Sequence, residues 1–252
     1  MSFDERAAVD PIAAVRRLTA PLRQKRFYKS ARMEAGEGGY TLHLDGCRAM
    51  TPGRRPLVVP DPTLAAAIAA EWEAQGEFID PATMPVTRLA NTAIDGIAMR
   101  LAEARAEVLA YAGTDLLCYR AGEPEGLVER QRAAWDPILA WAERRYGVRF
   151  VLAEGIVHAA QSEATLAALA QAVEAFREPF RLAGLHLATT LSGSALIALA
   201  LAEGELDAEA AWAVAHVDED WNIFQWGEDT EAASRRAPRL ADFRAAALAL
   251  AR

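Results

Sequence analysis

The chain has 252 residues, 52% apolar and 25% charged, and its 35 acidic side chains outnumber 27 basic ones for a formal charge of -8. That balance excludes a disordered chain and offers no general attraction to nucleic-acid backbones or anionic lipid, which require clustered Lys and Arg. The length suffices for one large or two small cores, and two are expected.

Cys47 and Cys118 stand far apart without a CxxC partner, so neither a disulfide scaffold nor a zinc site is indicated, and a reducing compartment is expected. The opening MSFDERAAVDP carries acids and no apolar stretch, unlike a secretory signal or an Arg-rich transit peptide, so a soluble cytosolic protein is expected. The one cationic run, RQKRFYK at 23–29, reads as a solvated edge strand.

The strings RFYKSARMEA, EGGYTLHLDG, CRAMTP and PLVVP read as short strands punctuated by Gly and Pro. Tyr40, Leu42 and Leu44 alternate with Thr41, His43 and Asp45, the pattern of a half-buried strand ending in an Asp-Gly turn. A small antiparallel sheet is predicted. At Asp61-Pro62 the pattern changes to a helix capped by Asp61 and stopped at Gly76.

After IDPATMP, the positions Val86, Leu89, Ala93, Ile97, Leu101, Ala104, Val108 and Tyr111 advance by threes and fours, predicting one long helix bent at Gly96 and closed at Gly113. Further helices are predicted over 123–146, where Pro137 kinks or restarts the rod, and over 162–175, 180–202 and 207–235, with a last one after Pro238. The uncharged stretch 182–202 is long enough to cross a bilayer, but polar and small residues load its first half, so a helix buried on all sides is expected. VRFVLAEG offers a short strand with no evident partner, and the boundary near residue 85 reads as a packed junction.

The histidines, at 43, 158, 186 and 216, have no second ligand at metal spacing, and no GxxxxGK loop cradles a phosphate. No cofactor is expected. The enzymatic alternative is a small-molecule serine hydrolase using Ser192 or Ser194 in TTLSGSA with His186 upstream, although no GxSxG elbow is present and close helix packing explains the small residues as well.

Two polar constellations remain. Arg88, Asn91, Thr92 and Asp95 share one helical face, either a partner surface or a lattice linking Arg88 to Asp95 and pinning the sheet to the bundle. In HVDEDWNIFQWGEDTE, helical spacing aligns Asp218, Asn222, Gln225 and Asp229 in a polar stripe flanked by Trp221 and Trp226, while Val214, Val217, Trp221 and Phe224 form an apolar face. Acids beside large aromatics suit protein recognition or, equally, a solvated face over core tryptophans.

The strings RFYKSARME, GYTLHLDGCRAMTP and PLVVP, the block AAEWEAQGEFIDPATMPVTRLANTAID, and YAGTDLLCYRA, RQRAAWDPILAWAERRYG and DEDWNIFQWGEDTEAA together resemble the chaperone family that assists the α subunit of the ATP synthase catalytic head. The resemblance implies an α+β fold, with a small antiparallel sheet domain and helix over 1–84 and an all-α bundle over 85–252. It implies a non-catalytic chaperone that binds the free α subunit of F-type ATP synthase before β subunit joins and prevents its aggregation; a monomer is expected. In the family an acid of the C-terminal helical region matters, and the matching stretch makes Asp218, Glu219, Asp220, Trp221, Gln225, Trp226, Glu228 and Asp229 the expected partner contacts. Trp72, Arg88, Asn91, Thr92 and Asp95 are expected at the junction or at the partner, and a bacterial cytoplasmic member, or a processed mitochondrial matrix form, is implied.

Overall fold

A computed structural model describes residues 24–155 and 160–251; the expectations for Arg23 and His158 lie outside them. β1 (Ala31–Gly36) and β2 (Gly39–Leu44) pair antiparallel, from Ala31 opposite Leu44 to Gly36 opposite Gly39. β3 (Cys47–Arg48) and β4 (Val58–Val59) also pair antiparallel with β2. The predicted Asp45-Gly46 turn has φ of 49° and 83°, the left-handed backbone whose twist suits a tight hairpin. Asp45 accepts hydrogen bonds from the main-chain N–H of Ser30 and Lys29 at 2.9 and 3.0 Å, which holds its carboxyl below the usual range.

α1 (Pro62–Glu73) starts as predicted, with the Asp61 carboxylate accepting from the N–H groups of Thr63 and Leu64 at 2.8 and 3.0 Å. It ends ahead of Gly76 because the Gln75 side chain turns the chain first. The Gln75 amide donates to the Glu71 carbonyl at 2.9 Å and accepts from the Asp80 N–H at 2.7 Å. The cationic run is not a solvated edge throughout. Lys25 bridges antiparallel to Phe78, and the half-buried Arg26 guanidinium donates to the carbonyls of Glu73 and Tyr28 at 3.1 Å and to that of Gln75. The carbonyls of Glu73 and Gln75 lie where the end of α1 leaves them without helical partners.

The next helix, α2 (Pro85–Asp95), is held at both ends by other elements. Its N-cap position, Met84, provides no side-chain bond. Glu71 of α1 does that work, accepting from the N–H of Val86 at 2.7 Å, the N–H of Thr87 at 2.8 Å and the Thr87 hydroxyl at 2.6 Å. At the far end Asp95 accepts from the Thr51 hydroxyl and the Gly53 N–H, both at 2.7 Å, while Arg55 donates to the Ile94 carbonyl at 2.6 Å. The predicted Arg88 to Asp95 link is therefore replaced by two longer-range ones, because Arg88 pairs instead with Asp242. The Thr92 hydroxyl bonds back to the Arg88 carbonyl at 3.0 Å, and Asn91 is half-buried. Trp72 packs on the buried Tyr28 at 5.5 Å between ring centroids, and the Tyr28 hydroxyl donates to the Trp72 carbonyl at 2.7 Å.

The expected long helix ends at Asp95, with Gly96 as its C-cap, and resumes as α3 (Leu101–Gly113) after a 3-10 turn over Ile97–Met99 and the non-helical Arg100 (φ -141°, ψ 45°). α4 (Glu125–Tyr146) runs continuously through Pro137. The short strand in VRFVLAEG is β6 (Ala153–Glu154), and its parallel partner is β5 (Tyr119–Arg120). α5 (Glu163–Glu174) follows as predicted. The stretch 180–202 divides into α6 (Pro179–Ser192) and α7 (Ala195–Glu203), because Gly193 is left-handed (φ 71°) and Ser194 extended. Every residue of Ala195 through Ala202 is buried, as expected of a helix surrounded by neighbours.

The predicted helix over 207–235 divides into α8 (Ala208–Ala215), α9 (Val217–Trp226) and the start of α10 (Thr230–Leu250), which includes Pro238 rather than beginning after it. The breaks fall at His216 (φ -115°, ψ 22°) and Gly227 (φ 84°, ψ 169°). The fold is α+β, and a single hydrophobic cluster joins buried side chains from Tyr28 of the sheet region to Leu250 of α10. No helix among the described residues is long and apolar enough to cross a membrane.

Glu71 is a capping group supplied by another helix, so Glu71→Gln, which replaces one acceptor oxygen by a donor facing an N–H, is expected to destabilise the protein by about 2 kcal/mol. Urea unfolding measures this; a change under a few tenths would show that α2 does not depend on the contact.

Candidate functional site

α9 begins with three consecutive acids, Asp218, Glu219 and Asp220, where the unpaired N–H groups of a helix favour negative charge. The three acids point to different partners. Asp218 accepts from the Gln131 amide of α4 at 2.7 Å, and Gln131 in turn accepts from the Ala121 N–H at 2.8 Å. Glu219 lies 3.8 Å from the buried His216 ring, and Asp220 pairs with Arg236 of α10 at 2.5 Å. His216 stacks on Trp212 at 3.7 Å and donates from Nδ1 to the Trp212 carbonyl at 2.8 Å, and burial pushes its pKa down.

Trp221 seats α9 on α4. The Arg130 guanidinium lies over the Trp221 ring at 5.0 Å and over the Phe224 ring at 4.6 Å. Gly126 makes room for the indole, because a Cβ there would come within 2.8 Å of its tip. Both remaining aromatics are exposed: Phe224, which shares the Arg130 guanidinium with Trp221, to 67%, and Trp226 to 86%. Beside Trp226, a cleft of about 400 Å³ opens between α9 and α10, with Ile223 in its floor and Glu219, Glu228, Asp229 and Arg236 around it.

The polar stripe expected to run through Asp218, Asn222, Gln225 and Asp229 does not exist as one helical row. The helix ends at Trp226, and Asp229 instead caps α10 by accepting from the Ala232 N–H at 2.8 Å. Val214 belongs to α8, so the expected apolar face through Val217, Trp221 and Phe224 is likewise interrupted. Gln225 and Glu228 are exposed. Arg130, Gln131 and Gly126 escape a sequence reading because their role comes only from α4 lying against α9. Among the described residues, no group of three or more His, Cys, Asp or Glu is placed to hold a metal ion.

The hydrolase constellation is not assembled. Ser194 is buried, caps α7 by accepting from the Ile197 N–H at 3.0 Å, and donates to Asp115 at 2.6 Å. Ser192 is also buried and donates to the Ala188 carbonyl at 2.7 Å, whereas His186 meets Glu107 at 2.6 Å near the surface. Asp115 also accepts from the N–H groups of Leu196 and Leu117 at 3.0 and 3.1 Å, yet full burial outweighs these bonds and pushes its carboxyl up to about 6.

The family described as ATP12 chaperone protein matches residues 25–143. A crystal structure of an Agrobacterium tumefaciens protein described as a candidate chaperone is 49% identical, covers 96% of this chain and 90% of its own, and superposes with a TM-score of 0.86. Atp12 from Paracoccus denitrificans is 38% identical, with 90% and 97% covered and a TM-score of 0.81. The mitochondrial protein atp12 of Schizosaccharomyces pombe is 23% identical over 224 residues, 83% of this chain and 77% of that one. The fold, shared over 96% and 90% of this chain with the two solved structures, places it in the chaperone class. The chain belongs to the ATP12 family, chaperones for ATP synthase assembly.

Gly126→Ala is expected to displace the Trp221 ring and loosen α9 from α4, read as faster amide exchange across Val217–Trp226 with exchange in α7 unchanged; equal exchange in α9 would show that Trp221 does not anchor it. Because the folded pKa of Asp115 lies above its ordinary value of 3.8, the folded state binds this proton more tightly than the unfolded chain. Its contribution is fully present at acid pH and is lost as pH rises from about 4 to about 6. The stability difference between wild type and Asp115→Asn is therefore expected to be larger at pH 4 than at pH 7 by urea unfolding, and a pH-independent difference would contradict the assignment.

Proposed function

We propose that the protein is a non-catalytic chaperone that binds the free α subunit of the F-type ATP synthase head before β subunit joins, using the exposed end of α9 and the start of α10. The observation that carries this reading is the display of Phe224 and Trp226 on a helix otherwise tied down by Trp221, Asp218 and Asp220. Large exposed aromatics are rare on surfaces with no partner and are over-represented among interface hot spots. Glu219, Glu228 and Asp229 around the adjoining cleft favour a client segment with an apolar side chain flanked by cations. Such binding acts by mass action on the client's aggregation-prone state and needs neither turnover nor cofactor. A monomer suffices.

Within the acidic set, Asp218 and Asp220 serve chiefly to hold α9, leaving Glu219 and Glu228 as the acids open to a client. Trp72, Arg88 and Asp95 belong to the junction between a sheet unit over 1–84 and a helical unit over 85–252, with Asn91 and Thr92 on the same helix. The bacterial cytoplasm, or the mitochondrial matrix for a processed form, is the compartment this client implies.

The test is refolding of denatured α subunit with and without the protein in several-fold excess, scored as soluble yield. Wild type is expected to raise the yield. The double variant Phe224→Ala with Trp226→Ala is expected to bind the client at least about tenfold more weakly, as loss of one to two hot spots implies, while its thermal midpoint stays close to wild type because both rings are exposed. Unchanged rescue by the double variant would move the client site elsewhere, and no rescue by wild type would sink the chaperone reading of the α subunit.

A further inference from the structure

A second cleft, of about 400 Å³, lies at the other side of the bundle where α4, α5, α6 and α7 meet. Ala168, Ala172 and Ala175 follow one another along the face of α5 and the residue after it, and their small side chains leave the space open. Phe176 supplies an aromatic wall, and the Tyr146 hydroxyl and Gln171 complete the polar lining. The carboxylate lining the cleft, Glu203, pairs with Arg145 at 2.5 Å and accepts from the Tyr146 hydroxyl at 3.0 Å.

Arg181 is the feature without an internal explanation. Among the described residues six arginines are half-buried, and five of them donate to a carbonyl or carboxylate. Arg26 reaches Glu73, Arg55 the Ile94 carbonyl, Arg105 the Phe176 carbonyl, Arg120 the Leu117 carbonyl, and Arg236 Asp220. Arg181 has only the Phe176 ring, 5.2 Å from its guanidinium carbon, and its Nε is sealed from solvent with no hydrogen-bond partner. That one buried donor without an acceptor costs its desolvation, and the terminal nitrogens, which are not sealed, have no acceptor among the described residues either. Stacking on Phe176 keeps the planar fork in place, and such a fork matches the paired oxygens of a carboxylate or phosphate. Glu203, the carboxylate lining the cleft, is engaged by Arg145 and Tyr146 and makes no hydrogen bond or ion pair with Arg181.

We propose that this cleft is an anion subsite in which Arg181 binds the oxyanion of a small ligand, carboxylate or phosphate, whose apolar or aromatic body lies over Ala168 and Ala172 beside Phe176. The site is separate from α9 and does not depend on the client reading.

The experiment is an NMR titration of the full chain with benzoate, phenyl phosphate, inorganic phosphate and benzamide, following the amides of Gln171, Ala172 and Phe176. Benzoate or phenyl phosphate is expected to shift these amides saturably, and the tighter of the two identifies the oxyanion. Benzamide, equal in shape to benzoate but uncharged, is expected to bind at least tenfold more weakly. Arg181→Gln should weaken the oxyanion at least tenfold, and Ala172→Leu should do so by filling the floor with the charge intact. Arg88→Gln, in a different cleft, should leave binding unchanged. Thermal midpoints establish that each variant is folded. The proposal is overturned by the absence of a saturable shift, by benzamide binding as well as benzoate, by unchanged binding in either cleft variant, or by inorganic phosphate binding as tightly as phenyl phosphate.

Discussion

The arrangement of the molecule depends on one carboxylate acting away from its own helix. Glu71, in the last turn of α1, accepts two main-chain N–H groups and one hydroxyl at the start of α2, where the local sequence supplies no cap. A helix N-terminus concentrates unsatisfied donors and positive dipole, so a half-buried anion there is stabilised even though burial raises its pKa. Once α2 is placed, Asp95 at its other end reaches the turn of the sheet and Arg88 reaches α10. Sheet, first bundle helix and last helix are thereby set relative to one another by side chains of α1 and α2.

The same economy of paired charge governs the surface around α9. Asp218, Asp220 and the Trp221 ring each engage a neighbouring helix, so the helix is immobilised along one side. Rigidity matters for recognition, since aromatic anchors held in place lose little freedom when a partner covers them. Trp226 is exposed at the end of the helix and Phe224 at the edge of the α4 contact beside Arg130, and the break at Gly227 turns the chain so that α10 forms the opposite wall of the cleft. Where buried polar groups are fully satisfied, as around Asp115 and Ser194, they fix a helix start. Arg181 departs from that pattern by facing an open cleft unpaired.

Much of this was legible in the amino-acid order because it depends on neighbours in the chain. The alternation of Tyr40, Leu42 and Leu44, the Asp45-Gly46 turn, the Asp61-Pro62 helix start and the buried run of α7 all follow from local periodicity and turn chemistry, and the strings around Trp72 and Arg88 marked the family. Helix ends inside continuous periodic stretches were not legible. Gly193 and His216 interrupt patterns that by themselves read as single rods, and at Gly96, where the sequence predicts a bend, the helix ends; at Gly193 the break is supported by a distant segment, since its carbonyl accepts from the Leu116 N–H. Asp115, for example, lies far along the chain from Leu196, yet it accepts the N–H that starts α7.

The sequence by itself determined the class of fold, the sheet, the location of helical stretches and the family, since those rest on the identity and spacing of residues close together in the chain. Only the tertiary structure decided which charges pair, which aromatics face solvent and which arginine lacks an acceptor. Those outcomes depend on distances between segments, such as Glu71 to Val86, Arg130 to Trp221 and Arg88 to Asp242, and residue order carries no direct record of which surfaces meet once the core has closed.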